Sequence, residues 1–595
     1  MIAAIATPHI RILAILPEIV LLGGAILLLA VGSLVQRQLR ARLATVCTLV
    51  ISAAALGVSL WQWADVSGRG PFTAVDHAVV VDGFSAFVNV LVSCAIFLTA
   101  LVADGYLRRE DVVGPEMHVL AMVSASGAMI MGSANDLIVV FLGLEILSIA
   151  LYVLAAFNHR RAASGEAALK YFILGSFSSA VFVYGIALVY GATGSSNLAQ
   201  IAGFLSKNVL ASDGLLLAGM SLLLVGFAFK VAAVPFHMWT PDVYQGAPSP
   251  VTGFMAAVAK AGAFAALLRV FVSTFGVLRT DWQPIIYALA IVTLLLGAFL
   301  AVVQRDVKRM LAYSSINHAG FVLLGLEAAS GRGVSASLYY LFAYMFMVIG
   351  SFAVVTVVGR RGDAAHDIAS YRGLARRQPL LALAFAVLLL AQAGAPFTTG
   401  LWAKLQVVLA SVDHAIPLAV VAMVSAAVAA FFYLRVAVLM YSPAADVGTV
   451  PGVQAPAEDA RPLGSGAARA AMATEGDRTK AETQSEPLVG IGAPEIPPTR
   501  PVWTGIERNV AVLNRLNASL LLDGDPVTLG PALGTAARDS GETLDVTAVR
   551  SAGPLKVPPL SAAAIGLCVA VTVVLGFWPG PLTSFAHHAT LLFLP

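Results

Sequence analysis

Mainly apolar runs of about 20 residues recur along almost the whole of this 595-residue chain. As a helix, such a run is about long enough to cross ~30 Å of hydrocarbon. The composition agrees, with 59% hydrophobic and 12% charged residues, where soluble chains hold about 45–50% and about 25%. Fourteen spans are expected, at 15–35, 42–63, 82–104, 117–132, 135–156, 166–191, 213–235, 249–275, 282–303, 309–327, 334–358, 379–404, 411–441 and 558–579. The fourth is short, and the seventh and twelfth are interrupted. The fold class is therefore an all-α polytopic membrane protein. The first run lacks the basic start and small-residue cleavage site of a removed signal, so it is read as a span.

Arginine and lysine in the connections orient the spans. Arg37, Arg40 and Arg42 follow span 1; Arg108 and Arg109 follow span 3; Arg160 and Arg161 follow span 5. Arg305, Lys308 and Arg309 follow span 9, and Arg360, Arg361, Arg372, Arg376 and Arg377 follow span 11. The alternate connections hold single residues such as Arg69 and Lys207. The odd-to-even connections are thus expected on the cytoplasmic side of a plasma membrane, with both termini outward. Residues 443–557, rich in Ala, Gly, Pro, Thr and Glu, read as a largely disordered cytoplasmic insertion. Within it, 505–524 has apolar positions at helical spacing and suits a membrane surface or a partner.

A charge at mid-span costs about 2.5–3.5 kcal/mol on insertion scales, so it survives by facing the bundle interior, pairing or snorkelling. Glu145 lies about ten residues, roughly 15 Å, into its helix, beyond the reach of snorkelling. Lys260 is as deep, among small residues that let neighbouring helices approach. Both read as members of an ion path, against the plainer reading of a structural buried pair. Lys230 falls late in span 7, just before Pro235, which removes a backbone N–H and clashes near Val231. Freed backbone groups are tolerable only inside protein or beside water, so the break and the lysine are read together. Lys404 repeats the arrangement beside Gly394, Pro396 and Gly400. Lys170 either snorkels or follows Glu145 along the path. His237 and His318 are candidate proton carriers because imidazole titrates near neutral pH; each also fits a hydrogen-bonded structural role. Tyr313, Ser314, Ser315 and Asn317 either hold water beside His318 or bond across helices.

Two interrupted spans five positions apart point to an internal repeat, spans 4–8 (117–275) and 9–13 (276–442), after an N-terminal segment (1–116) and before a last span and tail (558–595). An odd period of five places the two halves in opposite orientations. Cys47, Cys94 and Cys568 lie far apart, which excludes a Cys-based cluster, haem attachment or structural zinc. The net charge of +3 gives no reason to expect nucleic acid.

The segments "FLGLEILSIALYVLAAF", "ALKYFILGSFSSAVFVYGIALVYGATGSSNL", "FKVAAVPFHMWTPDVYQGAPSPVTGFMAAVAKAG" and "RDVKRMLAYSSINHAGFVLLGL" closely resemble the subunit N family of the bacterial proton-translocating NADH–quinone oxidoreductase, respiratory complex I. The resemblance covers roughly 15–442 and 558–580. It implies 14 helices with two inverted five-helix repeats, broken helices 7 and 12, and a mid-membrane proton-translocation chain of Glu145, Lys170, Lys230, His237, Lys260, His318 and Lys404. It implies a translocase subunit without a redox centre of its own, in which Glu145 holds Lys230 charged until that pair is released. It further implies no cofactor on this chain, with FMN, iron–sulfur clusters, NADH and quinone held by partner subunits, and sister antiporter-like subunits as neighbours. The insertion is longer than the family leads one to expect. A subunit of a multisubunit cation/proton antiporter or of a membrane-bound hydrogenase, and a purely structural anchor, remain open at this stage.

Overall fold

A computed structural model describes residues 11–112, 114–208, 213–363, 365–443 and 555–591. The expected insertion, with 505–524 inside it, lies outside the described residues except at its two ends. The described helices are α1 (Leu16–Leu34), α2 (Arg37–Arg69), α3 (Gly83–Arg109), α4 (Glu116–Ser133), α5 (Leu137–Ala155), α6 (Ala162–Thr193), α7 (Leu198–Lys207), α8 (Gly214–Val231) and α9 (Trp239–Gly246). Then follow α10 (Ser249–Thr274), α11 (Arg279–Val302), α12 (Val307–Glu327), α13 (Gly331–Val358), α14 (Pro379–Ala393), α15 (Thr399–Val412), α16 (Ile416–Tyr441), α17 (Pro559–Phe577) and α18 (Gly580–His588). A two-stranded hairpin, β1 (Phe72–Ala74) with β2 (Val79–Val81), joins α2 to α3.

Eleven of the described helices are long and apolar enough to cross a membrane. The other expected spans are also helical: α4, the polar-striped α12, and the pair α14 and α15, whose two short halves make one interrupted span. Both expected breaks are present. α8 stops at Val231 and Ala232 turns left-handed at φ 62°; α14 stops at Ala393 and Gly394 does the same at φ 95°. Helix starts follow side-chain chemistry. Asp82, Asp136, Asp306 and Ser330 each accept a backbone N–H of the first turn.

The internal repeat is visible in backbone hydrogen bonds. At the start of α5, Leu137 N donates to Ser196 O and Leu198 N donates to Asn135 O, both at 2.9 Å. The same pair recurs 170 residues later at the start of α12, where Val307 N donates to His366 O and Ile368 N to Arg305 O, both at 2.8 Å. Five spans separate the two ladders, and an odd number of crossings puts them on opposite faces. Helix approach repeats too. A Cβ on Gly127 of α4 would stand 2.5 Å from Leu147 N of α5, and one on Gly297 of α11 would stand 2.6 Å from Asn317 N of α12.

The core is formed by α3, α10 and α13. The apolar stretch of α10 is wholly buried, whereas about a quarter of that of α6 is. α10 departs from α-helical pitch twice, in π-helical turns at Met255–Ala259 and Arg269–Thr274, and Lys260 begins the segment between them. Such turns insert one residue and re-aim the side chains that follow. Near the hairpin end, Arg269 makes a buried bidentate pair with Asp82, both bonds 2.9 Å, and also donates to Gly132 O. That ties α10 to the first turn of α3 and the last of α4.

The two faces are therefore distinct. One carries the arginine-rich connections; the other carries the hairpin, α7 and the His77 carbonyl, which accepts from Asn135 Nδ2 at 2.8 Å and Asn197 Nδ2 at 3.0 Å. In a background with the three native cysteines replaced, single cysteines at Arg160 or Arg376 should react with an impermeant maleimide from one side only. Those at Arg69 or Gln200 should react from the other. Labelling of Arg160 and Arg69 positions from the same side would sink this topology.

Candidate functional site

Lys230, Lys260 and Lys404 are 4–5% exposed and share one kind of environment. Lys230 Nζ donates to Ser148 Oγ at 2.7 Å and Tyr171 Oη at 3.1 Å, and it stands 5.3 Å from the centre of the Tyr171 ring. Lys260 Nζ donates to Ser315 Oγ at 2.7 Å and to the Ser315 carbonyl, 5.7 Å from the Tyr344 ring. Lys404 Nζ donates to Ala393 O at 2.8 Å, 4.9 Å from the Phe321 ring. That carbonyl is the last of α14, freed by the break. Among the described residues none of the three ammonium groups has a carboxylate within 4.0 Å. Each is met by neutral oxygens and an aromatic face, which solvate a cation without a fixed counter-charge.

The expected direct pairing of Glu145 with Lys230 is not formed. Glu145 instead accepts the Ser179 hydroxyl, while Lys230 reaches Ser148, one turn further along α5. Depth along a helix fixes height but not which neighbour a side chain meets. A cavity of about 10 Å³, close to the least that holds one water, lies between Ser179, Ser178, Ser148 and Lys230. Gly175 borders it, where a Cβ would meet the Tyr152 hydroxyl at 2.0 Å.

α12 links the second and third lysines. Ser315 receives Lys260; His318, one turn on, sits between Tyr340 Oη at 2.6 Å and Tyr433 Oη at 3.1 Å; Phe321, one turn further, lies under Lys404. Ser314 bonds the Tyr433 hydroxyl. Asn317 bonds across to Leu294 O at 2.8 Å and Ser425 Oγ at 2.6 Å, a packing role. Between the first two lysines, Tyr171 stacks on Trp239 at 4.6 Å, and Tyr244, edge-on to Trp239 at 6.4 Å, reaches Ser315 Oγ at 3.4 Å. Nothing in the sequence singles out Tyr171, Tyr244, Tyr340 and Tyr433. A buried tyrosine in a membrane helix gives no signal until its hydroxyl partner is known.

Two expected residues lie elsewhere. Lys170 is on the arginine-rich face, 44% exposed, paired with Glu166 at 2.7 Å and Asp242 at 2.9 Å. These three border a cavity of about 330 Å³ that also touches Arg161, Asp363 and His366. Lys170 therefore lies at a mouth and not in the buried line. His237 falls in the turn between α8 and α9, half-buried, and its Nδ1 has no hydrogen-bond partner among the described residues.

The same face holds a cluster that the sequence disclosed only as scattered basic residues. Asp363, fully buried, accepts Ser249 Oγ at 2.9 Å and Lys308 Nζ at 3.2 Å, with His366 Nε2 at 3.1 Å and Arg161 at 3.4 Å. Burial alone would push the Asp363 carboxyl up, but Lys308, His366 and Arg161 more than offset this and hold it well below the usual carboxylate range. One carboxylate thus joins the connections after spans 5 and 11 to the starts of α10 and α12.

A family described as NADH:quinone oxidoreductase/Mrp antiporter, transmembrane, matches residues 134–430. NADH-quinone oxidoreductase subunit N of Trichlorobacter lovleyi is 41% identical over 434 residues, covering 73% of this chain and 88% of that protein. The subunit N of Acidothermus cellulolyticus is 44% identical over 486 residues, covering 76% and 92%. Among solved structures, a chain of respiratory complex I from Thermus thermophilus with bound aureothin aligns with a TM-score of 0.60 at 34% identity, covering 72% of this chain and 90% of that one.

Asp363→Asn keeps the shape but leaves Lys308 buried without its counter-charge, a loss of about 3–5 kcal/mol. Much less assembled protein is expected in membranes, with partial recovery in Asp363→Asn/Lys308→Met. A depressed carboxyl contributes stability above its unfolded-state pKa of ~3.9, and the contribution is lost only as pH falls through the folded value. Thermal stability of the unmodified protein should therefore show no step from this group between about pH 5 and 8. Normal assembly of Asp363→Asn would remove the cluster from the account.

Proposed function

Because this chain belongs to the subunit N family of NADH-quinone oxidoreductases, and is thus a membrane subunit of the proton-pumping respiratory complex I, we propose that its own part in turnover is proton movement along the lysine line, with the redox chemistry left to partner subunits. The observation that carries this reading is the shared setting of Lys230, Lys260 and Lys404: buried, held by neutral acceptors and aromatic faces, and free of a bound carboxylate. A salt-bridged lysine keeps its proton; one solvated by hydroxyls and carbonyls keeps hydrogen-bond partners in either protonation state.

In this reading the arginine-rich face is cytoplasmic, the membrane is the plasma membrane and both termini lie outside. Protons enter by the cavity that Lys170, Glu166 and Asp242 border and reach Lys230, whose acceptor Tyr171 follows Lys170 in the chain. Transfer onward runs past Tyr244 and Ser315 to Lys260, then along α12 by His318 toward Lys404. Glu145 supplies the control. Its carboxylate is one serine and one water-sized cavity from Lys230; moving closer would favour the ammonium form, and withdrawing would favour release. His237 has no assigned step.

Lys230→Arg retains a cation of similar reach, but guanidinium does not deprotonate in proteins. It should assemble near normally yet pump at least about tenfold more slowly, since each proton-transfer group contributes on the order of 10² or more. Lys230→Ala should also assemble, because no buried carboxylate loses a partner, and should pump equally poorly. The measurement is NADH-driven proton uptake by inverted vesicles, normalised to assembled complex. Unmodified pumping by Lys230→Arg would return the lysine to a packing role.

A further inference from the structure

We propose that Glu327, the last residue of α12, is the group that releases protons at the face opposite the arginine-rich one. The proposal rests on the lysine-line reading and supplies its missing end. The inverted repeat gives the place. In the first half the mouth lies where the first turns of α6 meet the end of α9. The corresponding junction in the second half joins the first turn of α13 to the end of α15, on the other face. There Arg332 pairs with Asp413 at 3.2 Å, both more than half exposed.

Glu327 lies beside this junction and is 3% exposed. Oε1 accepts from Gln283 Nε2 at 3.3 Å and Oε2 from Ser411 Oγ at 3.4 Å. Both bonds are long, and the shorter bond of Gln283, 2.7 Å, goes to the Glu327 backbone carbonyl. Among the described residues no cation stands within 4.0 Å of the carboxylate; Arg279 and His414 act on it only from further away. A carboxylate buried with weak neutral partners is a poor anchor, but it is free to gain and lose a proton.

The seam between α12 and α15 leads to it. Lys404 and Ser411 are seven residues apart on α15, hence on one face and about 10 Å apart in height. On α12, Phe321 lies under Lys404, and Glu327 accepts from Ser411. The transfer breaks an N–H bond at Lys404, passes the proton along water molecules across the ~10 Å of the seam, forms an O–H bond on Glu327, and then gives the proton to bulk water. The plainer role, a polar tie between α11 and α15, needs only hydrogen bonds, which glutamine supplies.

The test uses the whole complex in inverted vesicles, whose lumen then faces Glu327. Expected for Glu327→Gln is assembly close to normal, proton uptake about tenfold slower, and loss of the single-proton dependence on luminal pH shown by the unmodified complex. Glu327→Asp should pump within about twofold of normal with a displaced luminal pH profile. Unmodified uptake and profile in Glu327→Gln would overturn the assignment while leaving the lysine line intact, provided Lys404→Ala, run alongside, has lost uptake. Unmodified uptake in Lys404→Ala would instead sink the lysine line. If Glu327→Gln does not assemble, the profile of Glu327→Asp decides: displaced supports release at Glu327, and unmoved excludes it.

Discussion

Hydrocarbon offers no hydrogen bonds, so every backbone group set free at a broken span must be answered by the protein itself. The rest of this structure follows from how that is done. At the first break the Phe229 carbonyl accepts from Trp239 Nε1 at 2.9 Å, and Trp239 in turn carries the Tyr171 ring against which Lys230 lies. At the second, the Ala393 carbonyl accepts from Lys404 itself. The breaks are therefore not defects beside the lysines. They generate the acceptors and the ring positions that make a lysine tolerable at that depth.

Charge is held in two contrasting ways within one chain. Asp363 and the Asp82–Arg269 pair are closed electrostatic units with well-placed opposite charges. They fix the ends of helices, and breaking either leaves an uncompensated buried ion. The three lysines have no such closure, and neither does Glu327. The division is one of place: paired charges brace the scaffold at its faces, and those without an opposite charge occupy the seams between helices, where the proposed proton movement runs.

Much of this could be read from the residues because lipid is a severe solvent. Span positions, the alternation of arginines and both breaks followed from hydropathy and from Pro235, Gly394 and Pro396. The heights of Glu145 and Lys260 followed from counting residues along a helix. What could not be read was azimuth. Glu145 and Ser148 differ by one turn, and only packing decides which of them meets Lys230. From sequence alone Lys170 suits two roles, because a long side chain near a helix end reaches either way; its contacts with Glu166 and Asp242 place it at the arginine-rich face. The basic residues after spans 3, 5 and 9 carry a topological signal strong enough to mask a second one, namely that Arg109, Arg161 and Lys308 converge on a single aspartate. The tyrosines gave no signal, since an apolar ring suits any buried helix.

Enclosed helices and outward-facing helices form two sets, and the middle lysine of the three, Lys260, lies on an enclosed one. α10 is enclosed on all sides and α13 nearly so, while α1, α2, α6 and α17 present most of their apolar length outward. Bilayers differ in thickness, and spans answer by tilting or by bending the lipid around them at a fraction of a kcal/mol per ångström. In this chain that adjustment falls on the outer helices. The line of buried lysines proposed above to carry protons, braced at the faces by Asp363 and by Arg269, would then keep its length and its level as lipid composition changes. On that reading, membrane thickness is uncoupled from the spacing between the lysines.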